Sequence, residues 1–151
     1  MRKFENLAEL SALIGQEIGQ SPLFQITQER INDFAKVTLD EQWVHTQPEK
    51  AAAHSPYKTT IAHGYLTQSL IPHLNSQVFA VASVKMGVNY GSDKVRFMSP
   101  VLVDSSIYLS VKLLGTKAID RGMRIATECT VHVEGGKKPA CVAELITLMY
   151  E

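Results

Sequence analysis

The sequence predicts an α+β fold in which an antiparallel sheet curls around a central apolar helix. Three observations carry that expectation. From Gly64 to about Phe79, the residues Tyr65, Leu66, Leu70, Ile71, Leu74 and Val78 cover more than one helical face, as in a helix enclosed by other structure. Beyond it the apolar period changes from about 3.6 to 2, the mark of strands. Glu134-Gly135-Gly136-Lys137 then signals a hairpin turn between two long alternating runs. A chain of 151 residues without repeats, low-complexity tracts or linkers reads as one domain over residues 1–151 with a sizeable core.

Each element has its own signal. Leu7, Leu10, Leu13 and Ile14 recur at helical spacing, with Asn6 as cap, Glu9 at the third helical position and Gly15 as terminator. An extended piece from Glu17 to Ile26 follows. Thr27 caps a second helix whose Ile31, Phe34, Ala35 and Thr38 share one face. Asp40 to His45 is turn-like, and Pro48 suits the first turn of a third helix through Ala51-Ala52-Ala53. Pro72 interrupts the central helix and predicts a kink or a lost hydrogen bond. Val84, Met86, Val88 and Tyr90 predict a first strand, Val95 and Phe97 a second and Ile107 to Leu113 a third. Met123 to Val133 forms a fourth and Ala140 to Tyr150 a fifth. Long antiparallel strands after a largely buried helix make the hot-dog layout, with the helix as the sausage.

Composition excludes several classes. Apolar residues make up 45% and charged residues 20%, and fifteen basic residues balance fifteen acidic ones. Without a basic stripe, nucleic-acid binding lacks its usual electrostatic drive. Cys129 and Cys141 lie in apolar strand runs and read as buried free thiols of a reducing compartment. No apolar run approaches the roughly 20 residues that span a bilayer. Met1 to Asn6 leads into a charged amphipathic segment rather than a signal peptide, so a cytoplasmic protein is expected. Ser55, Ser69 and Ser105 lack the context of a nucleophilic serine, and no glycine-rich phosphate loop is present. His45, His54 and His63 recur every nine residues, but no tight ligand spacing or Cys/Asp partner accompanies them, so no metal is expected.

The segment Asp40-Glu41-Gln42-Trp43-Val44-His45 sets a carboxylate and an imidazole five residues apart, close enough to share one water and exchange protons with it. Trp43 and Val44 supply an apolar neighbourhood that strengthens such exchange. Spacing by itself favours a plainer reading, a turn carboxylate and a surface histidine. Eighteen residues on, His63-Gly64 heads the central helix, where unpaired backbone N–H groups can hold a developing oxyanion. Lys85, Asn89, Lys94 and Arg96 fall on the polar side of their strands, which by itself describes a solvated face.

Phe34 to His45, with the following Pro48-Glu49-Lys50-Ala51-Ala52, resembles the hydratase motif of the MaoC-like dehydratases, the (R)-specific enoyl-CoA hydratases and their relatives. Thr60-Ile61-Ala62-His63-Gly64-Tyr65-Leu66-Thr67 is similar to their second signature. Gln42-Trp43 and the strand Asn89 to Phe97 look closest to the nodulation-protein-N-like branch. The resemblance spans about residues 10–150. It implies that Asp40 and His45 are the catalytic pair and Gly64 the oxyanion-hole glycine. It further implies that His63, Tyr65, Asn89, Lys94 and Arg96 border the substrate, with Arg96 or Lys94 near the nucleotide phosphates of coenzyme A. Three departures stand out. Leu39 occupies the place of a usual glycine, Gln42-Trp43 replaces the usual Asn-Pro, and Pro72 stands where some (R)-hydratases carry a serine.

The resemblance thus implies a hydro-lyase that interconverts a trans-2-enoyl thioester and an (R)-3-hydroxyacyl thioester. No cofactor is implied, because the acyl group is carried by coenzyme A or acyl carrier protein and the thioester itself acidifies C2. A homodimer is expected, since a single curled sheet leaves an edge and an apolar face to be covered. Two alternatives remain beside it: a hot-dog acyl-CoA thioesterase, and a non-catalytic acyl-thioester-binding protein. The pairing of Asp40 and His45 with His63-Gly64 favours hydration.

Overall fold

The computed structural model describes residues 1–151. Its main sheet runs in the order β2-β6-β7-β8-β5, where β2 is Glu17–Gln20, β5 Met86–Phe97, β6 Ser106–Ile119, β7 Gly122–Val133 and β8 Cys141–Tyr150. Every pairing in it is antiparallel, and β3 (Phe24–Gln25) pairs with β6 on the same edge as β2. A small parallel pair joins β1 (Arg2–Phe4) to β4 (Phe79–Val81), which lashes the N-terminus to the end of the central helical segment.

The alternating strands bury one face as their pattern requires. Ile107, Leu109, Val111 and Leu113 of β6 are all fully buried, as are Cys129 and Val131 of β7 and Ala143 of β8. Burying each of the large side chains contributes about 2 kcal/mol relative to exposure. Against this face lie the central helices α5 (Gly64–Ser69) and α6 (Ile71–Val78), whose Leu66, Ile71, Leu74 and Val78 complete the same core cluster. The sheet therefore wraps the helices as expected. Cys129 and Cys141 are free and buried, and burial pushes each thiol up to about 11, so neither is a ready nucleophile.

Several details differ from expectation for identifiable reasons. The central helix is not continuous: it breaks at Leu70 and restarts, with Pro72 in the first turn of α6. There the missing N–H lacks an intrahelical partner in any case, so proline ends the expected kink at little cost. The runs read as separate strands, Val84–Tyr90 and Val95–Phe97, are one strand, β5, whose register with β8 shifts between Asn89 and Gly91 and again between Asp93 and Arg96. Each bulge resets the alternation, which makes one strand look like two in sequence. The first helix, α1 (Leu7–Ser11), stops well before Gly15. Gly15 instead turns at φ 84° and donates its N–H to the Leu113 carbonyl, tying the turn to β6.

The second helix, α2 (Gln28–Thr38), is capped by Thr27, whose side chain accepts from the Arg30 N–H. It ends at Leu39 in the left-handed conformation, φ 61° and ψ 20°. This explains why a glycine suits that position: a Cβ there is strained by about 1–2 kcal/mol. The Leu39 side chain is 85% exposed and so returns little packing energy. Leu39→Gly is expected to raise stability by about 0.5–1 kcal/mol, after the greater flexibility of unfolded glycine is subtracted. Denaturant unfolding checks this, and a midpoint lower than wild type contradicts it.

Candidate active site

The left-handed turn at Leu39 throws the chain out of α2 and into Asp40, and a short helix, α3 (Trp43–Thr46), then carries His45 inward. Thr46 Oγ1 donates to the carbonyls of Glu41 and Gln42, which holds this single turn where no longer helix could help. Gln28, from the first turn of α2, donates through Nε2 to the His45 carbonyl at 2.7 Å, and fully buried Thr60 donates its hydroxyl to Gln28 Oε1. Pro48 opens the next helix, α4 (Pro48–His54), as expected.

The segment Thr60 to His63 lies alongside α3. Ile61 donates its N–H to the Val44 carbonyl at 3.1 Å, and the Ile61 carbonyl accepts from His45 Nδ1 at 2.7 Å. Because a carbonyl can only accept, Nδ1 carries the proton and Nε2 of the neutral ring is left as a lone pair. His63, 2% exposed, donates Nε2–H to the Asp40 carbonyl at 2.9 Å. The two imidazoles stack with centroids 3.8 Å apart and planes 27° apart, and Phe34 of α2 packs on the far histidine at 5.1 Å. His63 is therefore a floor under His45 and a strap on the Asp40 backbone rather than a group facing a substrate.

One ring nitrogen each from His45 and His63 and a carboxylate oxygen of Asp40 lie within 4.8 Å of one another. Two ordinary hydrogen bonds of about 2.8 Å meeting at one water span about that distance. This corrects the expectation that the histidines have no Asp partner: Asp40 joins His45 and His63, because the loop after α2 folds back on the segment before α5, while His54 sits exposed at the end of α4, outside this cluster. Burial lowers the pKa of His45 below the ordinary histidine value, and its Ile61 hydrogen bond partly opposes this. Neighbouring His63 lowers it further and Asp40 raises it. The net effect keeps His45 a proton acceptor near neutrality.

A cavity of about 310 Å³ opens in front of His45, lined also by Tyr57, Gly64, Thr67 and Phe97. Gly64 is the first residue of α5, so its N–H has no intrahelical partner. With only six residues, α5 has a small dipole, and the useful interaction there is the local hydrogen bond. A Cβ at this position would meet the Phe97 ring, at 2.8 to 3.0 Å. Phe97 and Thr67 are the residues sequence reading missed. Thr67 lies three residues after Gly64 on the same helix face, a spacing that could have flagged it, whereas Phe97 read only as strand core.

The remaining expected site residues are dispersed. Tyr65 packs edge-on against Phe97 at 5.6 Å and, with Asn89, lines a second cleft of about 360 Å³. Lys94 Nζ is bound to Glu144 at 2.7 Å, and Arg96 Nη1 donates to the adjacent Val95 carbonyl. Neither cation lines the cavity beside His45. The structure thus brings together Asp40, His45, His63 and Gly64, holds Tyr65 next door, and leaves Asn89, Lys94 and Arg96 apart.

Known proteins place this arrangement. The family model described as MaoC like domain matches residues 9–135. The chain is 49% identical over 147 residues to 3-hydroxyacyl-thioester dehydratase Z of Mycobacterium tuberculosis, covering 97% of each sequence. It is 40% identical over 146 residues to nodulation protein N of Rhizobium leguminosarum, covering 95% of this chain and 91% of that one. The R-hydratase PhaJ1 from Pseudomonas aeruginosa superposes with a TM-score of 0.76 at 26% identity, covering 98% of this chain and 87% of the other. With its hot-dog sheet, its two matched motifs and these relatives, the chain belongs to the MaoC-like dehydratase family.

Proposed function

We propose that this chain is a hydro-lyase that adds water to a trans-2-enoyl thioester, or removes it from the (R)-3-hydroxyacyl thioester. The observation that carries the reading is the His45 tautomer: Nδ1–H is tied to the Ile61 carbonyl, which leaves Nε2 as an acceptor on a ring that clusters with the Asp40 carboxylate. A water held between the two loses one proton as its oxygen bonds to C3, and a proton is delivered to C2, so that H and OH are added in sum. The Gly64 N–H receives the thioester oxygen as it gains enolate charge. Either member of the pair can hold the proton in transit. The thioester acidifies C2, so the reaction needs neither cofactor nor metal. The identity to a named 3-hydroxyacyl-thioester dehydratase supports the same reading.

The same proposal places residues 1–151 in one domain and that domain in a homodimer. Strand β5 is a sheet edge that leaves Met86, Val88, Tyr90 and Phe97 exposed, which supports a second copy covering it. No helix is long and apolar enough to cross a membrane, and a cytoplasmic setting agrees with two free buried thiols. The balanced charge gives nucleic acid no foothold.

Crotonyl-CoA tests the reaction. Loss of the conjugated enoyl absorbance without free thiol supports hydration, thiol release indicates a thioesterase, and binding with neither indicates a non-catalytic acyl-thioester protein. Asp40→Asn and His45→Gln are each expected to lower turnover by about 10²–10⁴-fold with little loss of folding. Near-native turnover in either folded variant removes the mechanism.

Acid dependence follows from His45. Its pKa in the fold lies below 6.5, so the neutral acceptor persists as pH falls through the ordinary histidine value and is lost only below it. The acid limb of the kcat/KM profile is therefore expected below pH 6.5. An acid limb at or above that value contradicts the assignment.

Gly64→Ala is expected to cut turnover by roughly 10²-fold, because the new methyl drives the Phe97 ring and the N–H apart from their present positions. Adding Phe97→Leu to the same chain frees that space and is expected to restore about tenfold. If the double variant is as inactive as Gly64→Ala, the ring is not what the methyl displaces.

A further inference from the structure

The cavity beside His45 does not end at its own walls. Tyr57, Ser99 and Pro100 also line a wider groove of about 620 Å³ that runs to the β7–β8 hairpin and is bordered there by Glu134, Lys137 and Lys138. We propose that this groove holds the pantetheine arm and that Lys137 and Lys138 bind the phosphates of the coenzyme A nucleotide. The inference rests on the thioester reading above and names the carrier that the site accepts.

Charge selects this direction. The cavity itself offers no formal charge beyond titratable His45, and the cleft on the far side of the Phe97–Tyr65 pair is lined by no charged residue. Of the two cations first expected at the phosphates, Lys94 is neutralised by Glu144, and Arg96 lines neither cavity nor groove. Lys137 and Lys138 are exposed, and neither takes part in an ion pair. Glu134 offsets one of them, so the groove mouth keeps a net positive charge where a chain leaving the His45 cavity reaches solvent. The turn is also held in place. Gly135 takes φ 72°, Gly136 donates its N–H to the Val133 carbonyl, and the Ala140 N–H returns to Val131. Two lysines on a fixed turn suit a phosphate group as point charges, without the forked geometry that would single out one orientation.

Paired substrates test this. Lys137→Ala/Lys138→Ala is expected to lower kcat/KM for crotonyl-CoA by about tenfold, mainly through KM, as two exposed charge contacts allow. For crotonyl-pantetheine, which has no phosphate, a change under about twofold is expected, and raised salt is expected to weaken wild-type use of crotonyl-CoA alone. Equal losses on both thioesters, or none on crotonyl-CoA, overturn the proposal. Calorimetric titration with free coenzyme A separates this idea from the chemistry. A dissociation constant raised about tenfold in the double variant supports the phosphate site even if the wild-type protein hydrates neither thioester, and an unchanged constant refutes it even if hydration proceeds.

Discussion

The hydrogen bond from His45 Nδ1 to the Ile61 carbonyl is the contact on which the site depends. It joins the loop after α2 to the segment before α5, alongside the Ile61–Val44 backbone bond, the His63–Asp40 hydrogen bond and the stacked imidazoles. Its chemical consequence is a single tautomer, and so a lone pair on Nε2. Its structural consequence is registration. Ile61 bridges Leu102, and the Ala62 N–H is bonded to the Val101 carbonyl, so the imidazole is referred through backbone to the segment that joins β5 to β6. Side-chain position in a short loop is thereby set by a rigid element at second hand.

His63 extends the same logic. Burying an imidazole at 2% exposure costs desolvation, which its Nε2 bond to the Asp40 carbonyl partly offsets. Nδ1 is buried without a protein partner, an acceptor left unpaired rather than a donor. A phenyl ring would fill the same space more cheaply, but it could not hold the Asp40 backbone while serving as a flat surface beneath His45. Phe34 presses the pair from the other side, so the end of α2 contributes both the turn that leads into Asp40 and the packing that supports the two histidines.

What the sequence disclosed is what local chemistry encodes. The capping threonine, the proline before α4 and the alternation of β6 and β7 each follow from short-range rules and appear where those rules put them. Asp40, His45 and Gly64 were singled out for a different reason, their match to a motif, and the structure sets Asp40 beside His45 and Gly64 on the cavity that His45 lines. Phe97 was not legible. It reads as an apolar strand residue, and only tertiary structure shows its ring lying on the Gly64 backbone. The unity of β5 was hidden too, because a bulge is a property of pairing with β8 and shows in the sequence only as a broken alternation.

Leu39 shows how the local and functional demands meet. A left-handed residue is needed to end α2 and reverse the chain into Asp40, and glycine would meet that need without strain. Leucine meets it at a cost, with its side chain in solvent. The conformation persists because the contacts beyond it determine the path: Gln28 holds the His45 carbonyl, His63 the Asp40 carbonyl, and Thr46 the intervening turn. Strain at a single residue is tolerated where several independent bonds fix both sides of it. The departure from the glycine of the motif therefore leaves Asp40 and His45 held by these bonds, and its cost falls on stability.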